Sequence, residues 1–257
     1  MDPLTVVYAD FSCAQCYLAS QLVDRLRHAG TSIQWRAIEN EVGLPVNGRP
    51  RTGMESTGLA HVSTDVGRAL IPSGCTLEDP PDQVPKSAAA VSAYAEAVVA
   101  HIPDEIRDIL FSAYWMHRID IGNPEELRTV LAPAFMRSDA TSDPIKRFGY
   151  AVAMTREPIT GAAWRLIRSW RQEWQQIENN ELPVLVDSTG AYAGAGALRR
   201  LGELIQAGVG GSIASGSQTR PDFEQLHWTP QTTVSPPESW TSTVGDPWRR
   251  AALMHQT

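Results

Sequence analysis

The chain has 257 residues, 42% of them hydrophobic and 20% charged, and a formal net charge of −7. It is long enough for one large domain or two smaller ones of ordinary globular composition. The negative charge argues against a general nucleic-acid binder, which needs clustered Lys and Arg to neutralise phosphate, and against attachment to anionic membranes. No apolar run approaches the ~20 residues that span a bilayer. Met1-Asp2-Pro3 leads into the first strand without a basic or apolar leader segment, so a cytoplasmic location is the expectation.

Leu4-Thr5-Val6-Val7-Tyr8-Ala9 is apolar and β-branched and predicts a buried strand. Residues 14–29 carry Leu18, Leu22 and Leu26 at helical spacing and stop at Gly30. Ser32 to Ile38 alternates with period two and predicts a second strand, closing a βαβ unit with parallel strands. Residues 40–84 are rich in Gly, Pro, Asp and Asn and predict a long loop. Helices are expected over the Ala-rich Ser87 to Ala100, over Asp104 to Arg118, after the Asn123-Pro124-Glu125-Glu126 cap, and from Asp143 to about Thr155. A further helix, Thr160 to Ile177, carries Trp164, Trp170 and Trp174 as core candidates, with Arg165, Arg168 and Arg171 on a solvated face. Pro183 introduces the apolar Val184-Leu185-Val186, and 184–193 predicts a β-hairpin followed by a helix to Ala207.

The order is β-α-β, a helical block, then β-β-α. Residues 1–42 and 178–208 are expected to form one discontinuous α/β unit, and 43–177 an all-helical insertion. Residues 209–257 read as a Gly/Ser linker and a Pro- and Trp-rich tail that packs in part onto the body.

The chemistry is concentrated in Cys13-Ala14-Gln15-Cys16. The pair stands where a strand gives way to a helix, at backbone N–H groups that lack helical partners. A thiolate there is stabilised by those donors and by the helix dipole. Three cysteines are too few for a disulfide framework in a chain of this length. Cys75 is read as a loop cysteine with no assigned role. A zinc knuckle would need a second ligand pair, and neither another C-x-x-C nor H-x-x-x-H exists; His61, His101 and His117 have no ligand spacing.

Asp10-Phe11-Ser12-Cys13-x-x-Cys16-Tyr17 after a first strand, a helical stretch after the second, and Leu182-Pro183-Val184 opening the third together resemble the DsbA-like thioredoxin-fold oxidoreductases, in particular their cytoplasmic FrnE-type branch. Ser112-Ala113-Tyr114-Trp115 leading to Asp120 through Leu127 also resembles a segment of that family. The resemblance covers about residues 4–208. It implies a thioredoxin-like α/β fold and thiol–disulfide exchange with protein or peptide substrates that needs no bound cofactor; the charge, spacing and hydropathy above add the expectation of no metal, nucleic acid or membrane. It makes Cys13 the nucleophile and Cys16 the resolving sulfur. It also implies that the Leu182–Pro183 peptide bond is cis and that Leu182 and Pro183 meet the substrate backbone. Many relatives carry Pro and then His, Trp or Tyr between the cysteines. Gln15 offers only a neutral dipole there, so extreme thiolate stabilisation is not expected.

Gln15 is expected to be exposed and to touch substrate, and Phe11 and Tyr17 to frame the sulfurs. Asp10 and Glu39 are candidates for proton transfer near them, or else flanking carboxylates. Kappa-class glutathione transferases and 2-hydroxychromene-2-carboxylate isomerases resemble the same layout. They make glutathione the partner of a second reading, against which the second cysteine argues. A third reading is a binding module that keeps the fold without turnover.

Overall fold

The computed structural model describes residues 5–52 and 80–212. The elements in chain order are β1 (Thr5–Ala9), α1 (Ala14–His28), β2 (Ile33–Ala37), β3 (Arg49–Pro50), β4 (Gln83–Val84), α2 (Ala88–Val99) and α3 (Pro103–Trp115). They continue with α4 (Pro124–Arg137), α5 (Asp143–Phe148), α6 (Gly161–Trp174), β5 (Val184–Asp187), β6 (Gly190–Ala193) and α7 (Ala195–Ser212). β1, β2, β5 and β6 form one sheet in the order β2-β1-β5-β6. β1 runs parallel to β2 with Ala9 opposite Ala37, and antiparallel to β5, which pairs with β6 as a hairpin.

Strand position explains strand pattern. β1 is central, and Val6, Val7, Tyr8 and Ala9 are all buried, so it reads as a continuous apolar run. β2 is at the edge and alternates, with Ile33, Trp35 and Ala37 inside and Gln34 outside. α1 lays Leu18, Leu22 and Leu26 against the sheet. α2 packs against both α3 and α6. It is buried nearly all round, and its alanines let the neighbouring helices approach closely.

The insertion is joined to the α/β half through buried side chains. Arg107 of α3 is fully buried. It pairs with Asp24 of α1 and with Asp104 and Asp108 on its own helix, and its guanidinium carbon lies 5.5 Å from the Trp35 ring centroid. A buried cation is tolerated here because carboxylates surround it.

Five expectations need correction. Residues 40–84 are not wholly a loop, because β3 and β4 pair antiparallel; the insertion is therefore not all-helical. The helix opened by Asp143 ends at Phe148, where Gly149 turns left-handed at φ +69°. α7 continues through Ser212, so the Gly/Ser segment from Val209 begins as helix. Trp164 is 42% exposed, whereas Trp170 and Trp174 are buried. At ~100° per residue, Trp170 and Trp174 lie ~40° apart and Trp164 lies ~120° from Trp170, off the core stripe. Gln15, taken as exposed, is half-buried and is described with the site below. Cys75, His61 and the tail beyond Ser212 lie outside the described residues. Among the described residues, no helix is long and apolar enough to cross a membrane.

Candidate active site

Cys13 is the N-cap of α1, with extended backbone at φ −90° and ψ 123°. Its Sγ accepts a hydrogen bond from the Cys16 N–H at 3.2 Å. This is the place a Ser or Asp cap oxygen would occupy, so the helix start directs a donor at the sulfur. Cys13 is partly exposed and Cys16 is buried, one helical turn on, and the two are not bonded. Burial, foremost, pushes the Cys16 thiol well above its ordinary 9.0, and the neighbouring Cys13 pushes it further. The second sulfur is thereby kept protonated behind the accessible one.

The opposite wall is the turn into β5. Leu182–Pro183 is a cis peptide, and the Leu182 carbonyl oxygen stands 4.0 Å from Cys13 Sγ. Gly194, between β6 and α7, pins that turn by donating its N–H to the carbonyls of Glu181 and Pro183, both at 2.9 Å. Its φ is +52°, in the left-handed region that favours glycine, and a Cβ there would come within 2.7 Å of the carboxylate of the exposed Glu181, which would have to move aside.

Beneath the cysteine turn lies Asp10, 1% exposed. One carboxylate oxygen accepts from Ser12 N–H and Ser12 Oγ–H, both at 2.8 Å. The other accepts from Asn40 N–H and Ser87 Oγ–H, also at 2.8 Å. A single carboxylate thus ties the cysteine turn to the segment after β2 and to the start of α2. Burial outweighs those donors and raises the Asp10 carboxyl above its ordinary 3.8.

The insertion forms the back wall. Trp115, at the end of α3, donates its indole N–H to the Phe11 carbonyl at 3.1 Å and stacks on Tyr17 with ring centroids 5.7 Å apart and planes 4° from parallel. Phe111 packs against Phe11, Tyr17 and Trp35. Phe11 and Tyr17 therefore frame the cysteines by packing.

Gln15 is half-buried, with Oε1 buried and without a hydrogen bond. It is the second residue after the N-cap, where the helix start tucks part of its side chain inward. Glu39 is engaged elsewhere, in ion pairs with Lys86 at 3.1 Å and Arg171 at 3.7 Å. Among the described residues, no group of three or more His, Cys, Asp and Glu side chains is placed to hold a metal ion.

Sequence reasoning missed three members of this site: Trp115, Ser87 and Gly194. Ser87 carries a signal of its own, as a small polar residue at a helix start. The other two come to the site through long-range packing that no local pattern encodes.

No protein-family model matches the chain, and no curated protein matches its sequence. Solved structures do match. A probable DsbA oxidoreductase from Streptomyces coelicolor is 13% identical, with TM-score 0.56, covering 86% of this chain and 94% of its own. A 2-hydroxychromene-2-carboxylate isomerase is 17% identical, with TM-score 0.56, covering 83% of this chain and all of its own. The cytosolic disulfide reductase DsbM from Pseudomonas aeruginosa, solved with glutathione, is 12% identical, with TM-score 0.53, covering 82% of this chain and all of its own. At such identities the likeness speaks to architecture. The chain has the thioredoxin-like α/β fold with a helical insertion that DsbA-like oxidoreductases share.

Proposed function

We propose that this protein is a thiol–disulfide oxidoreductase that exchanges disulfides with protein or peptide substrates through Cys13 and Cys16. The observation that carries the reading is the asymmetry of the pair: Cys13 accessible at the helix N-cap, Cys16 buried one turn behind it. In this mechanism the Cys13 thiolate attacks one sulfur of a substrate disulfide. That S–S bond breaks, the other substrate sulfur leaves as a thiolate, and Cys13 is held in a mixed disulfide. Cys16 then gives up its proton to solvent and attacks Cys13. The substrate leaves as a dithiol, and two electrons have passed from Cys13 and Cys16 to it. Run backwards, the same steps oxidise a substrate. Leu182 and Pro183 face the incoming backbone, and Gln15 contributes at the rim. The α/β unit of 1–42 and 178–208 carries the chemistry, the insertion of 43–177 supports it, and the working compartment is the cytoplasm.

The test is equilibration of the full chain in glutathione redox buffers, with alkylation to count free thiols. A single two-electron transition, absent in Cys13→Ser, is expected. A pair that stays reduced, or stays oxidised, across the whole range would overturn the reading.

The neighbours favour a second reading, a glutathione-dependent isomerase or transferase, since one is an isomerase and another was solved with glutathione. A mechanism of that kind has no need of Cys16. Glutathione-dependent turnover that survives Cys16→Ser would favour it over disulfide exchange.

A further inference from the structure

Beside the redox corner lies a cavity of about 180 Å³, walled by the end of β2, the first turns of α2, the segment 156–158 and one face of α6. Cavities of ~150 Å³ lined by apolar side chains hold a benzene-sized molecule, so one phenyl ring fits. Ile38, Val91, Pro158, Trp164 and Ile167 supply apolar wall.

Among the described residues, seven large hydrophobic side chains are exposed, and four of them stand in the cavity wall or on segments joined to it. Trp164 lines it directly. Val46 offers its carbonyl to Arg156 of the wall at 3.4 Å, and Met154 stands two residues before that arginine. The Val42 carbonyl takes the Lys86 ammonium at 2.6 Å, and that ammonium also sits 3.1 Å from Glu39 in the wall. Exposed apolar side chains gathered round one opening mark a docking surface rather than scattered surface residues.

The polar part of the wall says what docks. Arg156, Arg171, Glu39 and Glu157 bring charges of both signs, which a hydrocarbon or lipid chain would leave desolvated and unpaired. Lys86 donates to the Val42 and Leu44 carbonyls. Glu39 Oε1, 3.1 Å from the same ammonium, is ion-paired but buried without a hydrogen bond. A polypeptide offers what this wall lacks: an apolar side chain for the cavity, with backbone N–H and C=O groups beside it.

The cavity wall and the cysteine turn also share neighbours along the chain. Asn40 and Ser87, two of the donors to Asp10, are the immediate chain neighbours of the wall residues Glu39 and Ala88. Ala37 in the wall lies opposite Ala9 in parallel register. The path from Ala37 across to Ala9 and on to Cys13 is at most ~20 Å, one interstrand spacing plus four Cα steps, which about six extended residues span.

We infer that this cavity is a substrate subsite that takes one bulky apolar side chain of an extended polypeptide whose cysteine, about six residues away, reaches Cys13. The inference rests on the polypeptide-substrate reading above and adds the feature that the enzyme selects. Small disulfides such as oxidised glutathione cannot use this subsite, so it separates unfolded protein chains from them.

Binding tests it without any redox step. A dye-labelled, cysteine-free extended peptide carrying one Phe among polar residues is titrated against the full chain by fluorescence anisotropy, beside a copy with Ser in place of Phe. The Phe peptide is expected to bind at least tenfold more tightly than the Ser peptide, and the preference should collapse in Trp164→Ala and in Ile167→Ser. Trp164 is exposed, so its truncation leaves the core intact, and circular dichroism checks the fold of Ile167→Ser. Equal binding of the two peptides, or a preference that persists in folded forms of both variants, would overturn the inference. The assay needs neither thiol. Its failure leaves the Cys13–Cys16 chemistry standing, and failure of that chemistry leaves the binding result standing.

Discussion

The thioredoxin-like half and the helical insertion are both built round buried aliphatic and aromatic side chains, yet they use polar groups differently. In the α/β half the reactive and hydrogen-bonding groups collect at one end of the sheet, where β1 runs out and α1 begins: Asp10, Cys13, Cys16 and, from across the sheet, the Leu182 carbonyl. Among the described residues, the insertion contributes no sulfur to this corner. It supplies Trp115, Phe111 and Ser87, which hold the corner from behind, and the lip of a cavity beside it. The comparison teaches that the helices added to the small α/β unit act as its scaffold. The proposed chemistry stays on a strand-to-helix turn, where helix N–H groups are free to meet a thiolate, while rigidity comes from aromatic packing that such a small sheet could not provide alone.

The largest effect expected is on the sulfurs themselves. Cys13→Ser should lower disulfide exchange by at least ~10³-fold. Cys16→Ser should retain the first attack and accumulate a covalent enzyme–substrate adduct on a non-reducing gel. An adduct forming instead in Cys13→Ser would reverse the assigned roles.

Two tryptophans of similar burial test whether the insertion acts as a scaffold. Trp115→Ala should cost about 3–5 kcal/mol in a denaturant titration and also slow exchange per folded molecule, because the Phe11 carbonyl and the Tyr17 ring lose their support. Trp170→Ala, buried at 5% exposure on α6, should cost a similar amount of stability without that kinetic effect. Equal exchange rates in the two folded variants would contradict a special role for α3.

Asp10→Asn places an amide N–H₂ where one carboxylate oxygen now receives two donors, and should destabilise the fold by about 2–4 kcal/mol. The pH dependence has a definite sign. The folded-state carboxyl is raised above its ordinary 3.8 by burial, so the native state binds this proton more tightly than the unfolded chain. Its contribution makes stability fall as pH rises from about 3.8 through the raised value. Followed by thermal unfolding across the acid range, the slope should become shallower in Asp10→Asn, leaving the like-signed contributions of Asp24, Glu96 and Asp108, whose carboxyls burial also raises.

The smallest predicted effect is on one step of exchange. Burial holds the Cys16 thiol well above 9.0, so resolution of a preformed mixed disulfide should quicken with pH by up to ~10-fold per unit. It should still be climbing at pH 9, measured by stopped-flow release of a chromogenic thiol. A plateau below that pH would mean that another group deprotonates Cys16 within the site.

Much of the fold is legible from local pattern. The apolar run of β1, the Leu18/Leu22/Leu26 stripe of α1, the alternation of β2 and the proline-led β5 all announce themselves, because each is dictated by what one face or both must bury. Where pattern misleads, another rule intervenes. Trp164 follows the helical rhythm loosely enough to be taken for core, yet it stands ~120° from Trp170 on the helical wheel. Asp143 opens a plausible helix that Gly149 ends early. β3 and β4 are two residues each, too short for periodicity to show, and they pair only because the chain is brought back by the elements on either side.

The cysteine spacing and its place between a strand and a helix were written in the chain, since a helix start follows from capping, proline and apolar periodicity within a dozen residues. Which sulfur is sheltered, that Asp10 binds three segments at once, that Gly194 pins the turn facing Cys13, and that Trp115 closes the rear wall were decided only by tertiary structure. These relations join residues up to 169 positions apart, and their energies come from desolvation and packing, which exist only when distant segments shut water out together.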